Sequence, residues 1–321
     1  MSTLFMRILF YSITQPKRMP AKYCLQDKLG SGGYSSVYRC VDNIGIRYAC
    51  KILRKEQNKR ERVRREVEML YSLRHSTRVA RFIDAREDAD NYYIIQEWCK
   101  GGMLREYVRK HDTYAENTVA SIVRGVLRGL HHIHESGIIH RDIKGPNVMF
   151  ADETPDAEIR IIDFGAAMYY DSSATDLVPS EDLVGTPWFM APEALGHKFS
   201  PKSDIWSLGV LTYQLLSGKM PFNDVENPYR PSIIRLFKSI YTDPPMMEGS
   251  DWENISAEAK EFIQCCLKKQ HEARPTAEQA LKHVWLTSTD CVDRFTGKAL
   301  LSSPFDHELI NSMINAATHD V

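Results

Sequence analysis

A change of periodicity at Gly101-Gly102 constrains the fold of this chain more than any other feature. Before it, residues 23–29, 35–41, 46–53 and 92–98 are short runs rich in β-branched and aromatic side chains, separated by polar and glycine-containing turns. One helix interrupts them. Over 59–73, Val63, Val67, Leu70 and Leu73 recur at helical spacing, with Arg60, Glu61, Arg62 and Arg65 off that stripe on a solvated face. Past the glycines the character is helical. Val119, Ile122, Val123, Val126, Leu127, Leu130 and Ile133 form a broad apolar stripe that ends at Gly137, a natural stop. Residues 204–216 are apolar all round and predict a buried helix, and 257–267 and 277–283 are further helices. Strands followed by helices indicate the α+β class. The expectation is a small β-rich lobe over 23–99, a hinge near residue 100, and a larger helical lobe over 100–286. Residues 1–22 and 287–321 flank them as an extension and a tail.

Charge and cysteine content exclude several kinds of function. Forty-one basic residues against forty-two acidic ones leave a net charge of −1, so no global field draws the chain to nucleic acid or an anionic membrane. No apolar run is long enough to span a bilayer. The seven cysteines include no CxxC spacing for zinc or redox chemistry, which predicts free thiols in a reducing, cytoplasmic compartment. The N-terminal stretch is basic and free of acids; it reads as an extension before the fold, and an organelle-targeting segment would share that composition. The polar turn 88–91 lacks the ligands, glycine and closing glutamate of a calcium loop.

Chemistry concentrates at four places. Gly30-Ser31-Gly32-Gly33-Tyr34-Ser35-Ser36-Val37 lies between two expected strands, where glycines let backbone N–H groups approach phosphate oxygens closely. A strand follows it, so it is not a dinucleotide fingerprint, and no Gly-Lys-Ser/Thr closes it as a Walker A loop. Lys51 stands inside the apolar strand containing Ala49, and Glu66 on the following helix is the partner a buried lysine needs. His140-Arg141-Asp142-Ile143-Lys144-Gly145-Pro146-Asn147 is followed by Asp163-Phe164-Gly165. Asn147 and Asp163 are hard oxygen ligands suited to Mg2+, and Asp142 is left to act as a base.

In this order the motifs resemble those of the eukaryotic protein kinase superfamily. The likeness continues through Ala191-Pro192-Glu193, Asp204-Ile205-Trp206 and Arg274-Pro275, and covers 23 to 286. It implies the bilobal kinase fold and transfer of the γ-phosphoryl group of Mg-ATP, with Mn2+ as an alternative ion, to hydroxyls of protein substrates. Gly30, Ser31, Gly32, Gly33, Tyr34, Ser35 and Val37 correspond to the loop over the phosphates, with Ser35 where a third glycine is usual. Lys51 would hold the α- and β-phosphates and pair with Glu66. Ala49, Gln96, Glu97 and Cys99 would meet the adenine. Asp142 would orient the acceptor hydroxyl and take its proton, Lys144 would steady the γ-phosphate, and Asn147 and Asp163 would hold the metal. Glu193 and Arg274 resemble the family's buried structural ion pair, and Asp204 belongs to the same structural set. Lys144 two residues after Asp142, and Gly185-Thr186-Pro187, are similar to the serine/threonine class. Further motifs are similar to the calcium-dependent and calmodulin-regulated group. A monomer without an EF-hand is expected. A catalytically silent scaffold would be expected to have lost one of Lys51, Asp142, Asn147 and Asp163, and all four are present.

Two departures bear on specificity and regulation. Acids with which that group recognises substrate arginines are replaced by Met103, Pro146 and Gln214. In such kinases Arg141 meets a phosphorylated residue of the activation segment, and counting back from Gly185 lands on Asp182. A carboxylate pairing there predicts activity without phosphorylation, with Ser172, Ser173 and Thr175 as competing sites. In the tail, 305–314 predicts a short helix.

Overall fold

Alternation of apolar residues builds the first of two compact units, which divide between Lys100 and Gly101. The structure is a computed structural model that describes residues 22–110, 115–154, 156–171, 177–224, 226 and 232–287. The extension before Lys22, the sites Ser172, Ser173 and Thr175, and the helix expected over 305–314 lie outside the described residues.

In the first unit, β1 (Tyr23–Ser31), β2 (Ser35–Asp42), β3 (Arg47–Arg54), β4 (Phe82–Glu87) and β5 (Asn91–Glu97) form one antiparallel sheet in the order β1-β2-β3-β5-β4. Lys51 pairs with Val37 on one side and Ile94 on the other, and Ala49 pairs with Arg39 and Gln96. Alternate residues of a strand share a face, so Val37, Ala49, Lys51 and Gln96 lie together on one face. On the opposite face Tyr23, Cys40, Cys50, Tyr93 and Ile95 form a closed cluster, joined by Tyr48, Ile52 and Ile83. The helix Arg60–Ser72 buries Val63, Glu66, Val67, Met69 and Leu70. Its one buried acid is the residue the sequence pairs with Lys51.

The second unit is built on the helices Glu116–Glu135 and Pro201–Ser217, with Leu104–Lys110, Ile233–Thr242, Ala257–Cys266, Ala277–Leu281 and Val284–Thr287 around them. Ser200 and Ser203 form a reciprocal capping box at the start of Pro201–Ser217, Pro201 opens the helix, and Gly218 ends it at φ 71°. Every residue from Ser203 to Ser217 is buried. A short ladder, Val148–Phe150 with Ile159–Ile161, carries the catalytic motif into the acid at 163. Glu116, itself buried, accepts hydrogen bonds from the Trp285 indole and from the Ser256 backbone N–H and hydroxyl, tying three distant segments together. Among the described residues, no helix is long and apolar enough to cross a membrane.

Candidate active site

Each unit holds its own set of the residues that the motifs single out. In the first, β1 and β2 stay in register from Gly30–Val37 to Ser31–Ser36, and Gly32 N–H closes the turn onto Ser35 O at 2.9 Å. A Cβ on Gly30 would meet nothing within 4 Å, and one on Gly32 only the Ser35 hydroxyl at 3.8 Å; neither glycine has a positive φ. Neither side-chain crowding nor a positive φ demands glycine at either place, and the bare backbone there is open to close approach by a phosphate. Buried Asn58, a residue the motif reading passed over, donates to Tyr34 O at 3.1 Å and Arg54 O at 2.9 Å and so anchors the loop to the end of β3. Lys51 Nζ stands 2.7 Å from Glu66 Oε1, the carboxylate 4% exposed. Gln96 Nε2 donates to Ala80 O at 3.1 Å; Glu97 exchanges bonds with Arg81, its N–H donating to Arg81 O and its Oε2 accepting from Arg81 N–H; Cys99 is buried.

In the second unit, Asp142, Lys144 and Asn147 converge. Asp142 Oδ1 accepts from the Thr186 hydroxyl at 2.9 Å; its Oδ2 accepts from Asn147 Nδ2 at 2.9 Å and lies 2.9 Å from Lys144 Nζ. Lys144 also donates to Thr186 Oγ1 at 2.6 Å. Thr186 is a functional neighbour that spacing could not reveal, since 44 positions separate it from Asp142. Gly185 brings it there: with φ at 115°, its position would set a Cβ 2.8 Å from Arg141 O, so only glycine allows the approach. Arg141 (φ 68°) and Asp163 (φ 63°) are non-glycine residues in the left-handed region. Conformations of this kind cost about 1–3 kcal/mol each and persist where the surroundings over-determine them.

For Arg141 the surroundings are Asp204. Fully buried, it accepts from His140 N–H (2.9 Å), Arg141 N–H (2.8 Å) and His134 Nε2 (2.8 Å). Burial works to raise its carboxyl, but the His134 bond, the charges of His134 and His140 and the His140 N–H outweigh it and hold it below the usual carboxylate range. Because the folded value is depressed, this stabilisation is present above about pH 4 and is lost as pH falls below it. Asp204→Asn leaves one backbone N–H of the loop unsatisfied and is expected to cost about 1–3 kcal/mol at neutral pH. Thermal unfolding of both proteins checks this: the gap in midpoint narrows as the pH is taken below about 4.

Arg141, for which a pairing with Asp182 is expected, bonds to the turn just before that residue. Arg141 donates from Nη1 to Ser180 Oγ at 2.9 Å and from Nε to Ala166 O, and Ser180 in turn donates to the backbone carbonyl of Asp182 at 3.1 Å. The Asp182 carboxylate is exposed. The side-chain hydroxyl that Arg141 meets is thus two residues before Asp182. Glu193 and buried Arg274 form a two-pronged pair at 2.6 and 2.7 Å.

The donor set suits a magnesium ion held mainly by a phosphate-bearing substrate. Asn147 turns its amide nitrogen to Asp142, donating to the carbonyl O at 2.8 Å and to Oδ2, which leaves the amide oxygen as the atom able to ligate a metal. With Asp163 this gives one amide and one carboxylate oxygen. Among the described residues, no group of three or more His, Cys, Asp or Glu could make a closed metal cage.

The profile of the protein kinase domain family matches residues 23–286. The chain belongs to that family. It is 33% identical over 296 residues to calcium-dependent protein kinase 12 of Oryza sativa subsp. japonica, a match covering 91% of this chain and 54% of that one. To calcium-dependent protein kinase 29 of Arabidopsis thaliana it is 34% identical over 289 residues, 88% of this chain and 52% of the other. To a calcium/calmodulin-dependent serine/threonine-protein kinase of Oryza sativa subsp. japonica it is 32% identical over 286 residues, 85% and 46% of the two. The kinase domain thus has the α+β architecture expected of it, and the chain spans about half the length of these curated relatives.

Proposed function

We propose that this protein is an ATP-dependent serine/threonine protein kinase, acting through residues 23–286 as its catalytic unit in a reducing, cytoplasmic setting. The observation that carries the reading is the Asp142 carboxylate, bonded by Thr186, Asn147 and Lys144 in a loop pinned by buried Asp204. A Ser or Thr hydroxyl of a protein substrate approaches Asp142 and gives up its proton there, while its oxygen bonds to the γ-phosphorus and the bond from that phosphorus to the β–γ bridging oxygen breaks, releasing ADP. Lys144 neutralises charge on the transferring group, and Lys51, aligned by Glu66, holds the α- and β-phosphates. The Gly30–Ser35 loop covers the phosphates, and Val37, Ala49, Gln96, Glu97 and Cys99 receive the base. Asn147 and Asp163 would hold Mg2+, or Mn2+, which when bound neutralises the phosphate oxygens. Arg141 is held by the neutral Ser180 and by a carbonyl, which supports activity without phosphorylation of the segment.

Incubation of the phosphatase-treated protein with Mg-ATP and a degenerate Ser/Thr peptide library tests this; phosphate should appear on Ser and Thr. Failure to label any peptide, before or after phosphorylation, overturns the reading. Labelling only after phosphorylation removes constitutive activity alone. The same library addresses basic specificity. With Met103, Pro146 and buried Gln214 uncharged, Arg two or three residues before the acceptor is expected to raise the rate less than tenfold, about 1.4 kcal/mol. A larger preference requires acids elsewhere.

A further inference from the structure

Beside the catalytic loop lies a helix with two arginines that have no hydrogen-bonded or ion-paired partner among the described residues. The segment after Lys100 is docked on the strand that follows Asn147: Gly101 N–H donates to Phe150 O at 3.2 Å, Phe150 N–H to Gly102 O at 3.0 Å, and Met103 bridges to Met149. Tyr107 packs its ring on Phe150, with centroids 5.1 Å apart. The helix Leu104–Lys110 is thereby fixed against the turn Gly145–Asn147, and a Cβ on Gly145 would sit 3.8 Å from the Cβ and the backbone N of Arg105.

Arg105 is part-buried, and among the described residues its guanidinium makes no hydrogen bond or ion pair; the same holds for Arg109, one turn further on. Burial first, and the like charge of Arg109 second, pull the Arg105 guanidinium below its ordinary value, against the opposing Glu106. Glu106 itself turns to the Met103 N–H at 3.4 Å. Like charges four residues apart destabilise a helix, so the spacing of Arg105 and Arg109 does not itself favour the helix. The nearby cation Lys144, by contrast, is neutralised by Asp142.

Gly145 follows Asp142 by three residues, a span of at most about 11 Å, and two to four residues of an extended peptide cover the same distance. Resting on the kinase reading above, we infer that Arg105, supported by Arg109, is a specificity-determining residue that binds an anionic side chain of the substrate within four residues of the phosphorylated Ser or Thr. Two sources share that chemistry, an Asp or Glu carboxylate and a phosphoserine already present. Met103 and Pro146 beside it carry no charge, and the neighbouring acid, Glu106, is turned to the Met103 N–H.

The test uses the full chain with Mg-ATP and peptides of one Ser in an alanine background, with Asp, Glu, phosphoserine or Arg at each of four positions on either side. At one or more positions an anion should raise kcat/KM about tenfold or more through KM, the size expected of a charge-assisted bond. Response to Asp and Glu identifies an acidic substrate; response to phosphoserine alone identifies a primed one. Arg105→Ala should bring the ratio of anionic to alanine peptide close to one, and Arg105→Glu should turn the same position toward Arg. If Arg105→Ala does not fold, Arg105→Lys must keep the preference and Arg109→Ala must weaken it. Transfer to the alanine peptide with no anion preference in the wild type, or a preference unchanged in Arg105→Ala and Arg105→Glu, overturns the inference and leaves the kinase reading standing. No transfer to any peptide overturns both.

Discussion

Turnover by an Asp142→Asn variant is expected to fall about 10²–10⁴-fold, the contribution of a positioned base, while nucleotide binding survives. The geometry makes this a clean substitution. The amide oxygen can take the place of Oδ2 and keep the bonds from Asn147 and Lys144, and the amide nitrogen can donate to Thr186 Oγ1, which now stands opposite Oδ1. The loop keeps its shape because its backbone is held by Asp204, not by Asp142. What is lost is the capacity to accept the hydroxyl proton. Single-turnover phosphotransfer, beside titration with a fluorescent nucleotide analogue, separates the two effects. Transfer at near the wild-type rate would remove Asp142 from its assigned role.

The parts of the fold and site that sequence reveals are those whose residues are close in the chain or obey one strand period. Val37, Ala49 and Lys51 share a face because they alternate across two paired strands. Asp142, Lys144 and Asn147 meet because a single loop carries them. The strand Phe82–Glu87 escapes notice because Asp84 and Arg86 break its apolar run; in the fold they bond to each other, and Asp84 also accepts from the Tyr23 hydroxyl. Ile233–Thr242 is obscured differently. It buries Leu236, Ser239 and Ile240 but exposes Ile234 and Tyr241, so hydrophobicity does not mark its inner face. Thr186 and Asn58 act across a turn or between loop and strand, and the Ser180 bond to Arg141 escapes notice for the same reason: an offset along the chain does not determine which side chain a turn directs inward.

Removal of the Arg274 guanidinium is expected to destabilise the second unit by about 3–5 kcal/mol, the cost of breaking a buried pair from one side. All five of its N–H groups are engaged. Nε donates to Lys268 O, Nη1 to Glu193 Oε1 and Lys202 O, and Nη2 to Glu193 Oε2 and Lys269 O. The guanidinium also stands 4.9 Å from the centre of the Trp206 ring. Arg274→Met therefore strands a nearly buried carboxylate and three backbone carbonyls. Arg274→Lys keeps the charge but offers three donors without the planar fork, and should recover less than half of the loss. A Glu193→Leu/Arg274→Met double variant separates the two contributions. In it no charge is left unpaired, yet the carbonyls of Lys202, Lys268 and Lys269 still lack their donor, so it should remain less stable than the wild type. The consequence extends to catalysis, because Glu193 also accepts from Ser203, the capping-box partner of Ser200 in the helix that carries Asp204. Urea unfolding of the three variants, followed by tryptophan fluorescence, measures the effect. A loss below about 1 kcal/mol for Arg274→Met, the worth of one ordinary hydrogen bond, would mean that the pair does not hold the Glu193 segment to that helix.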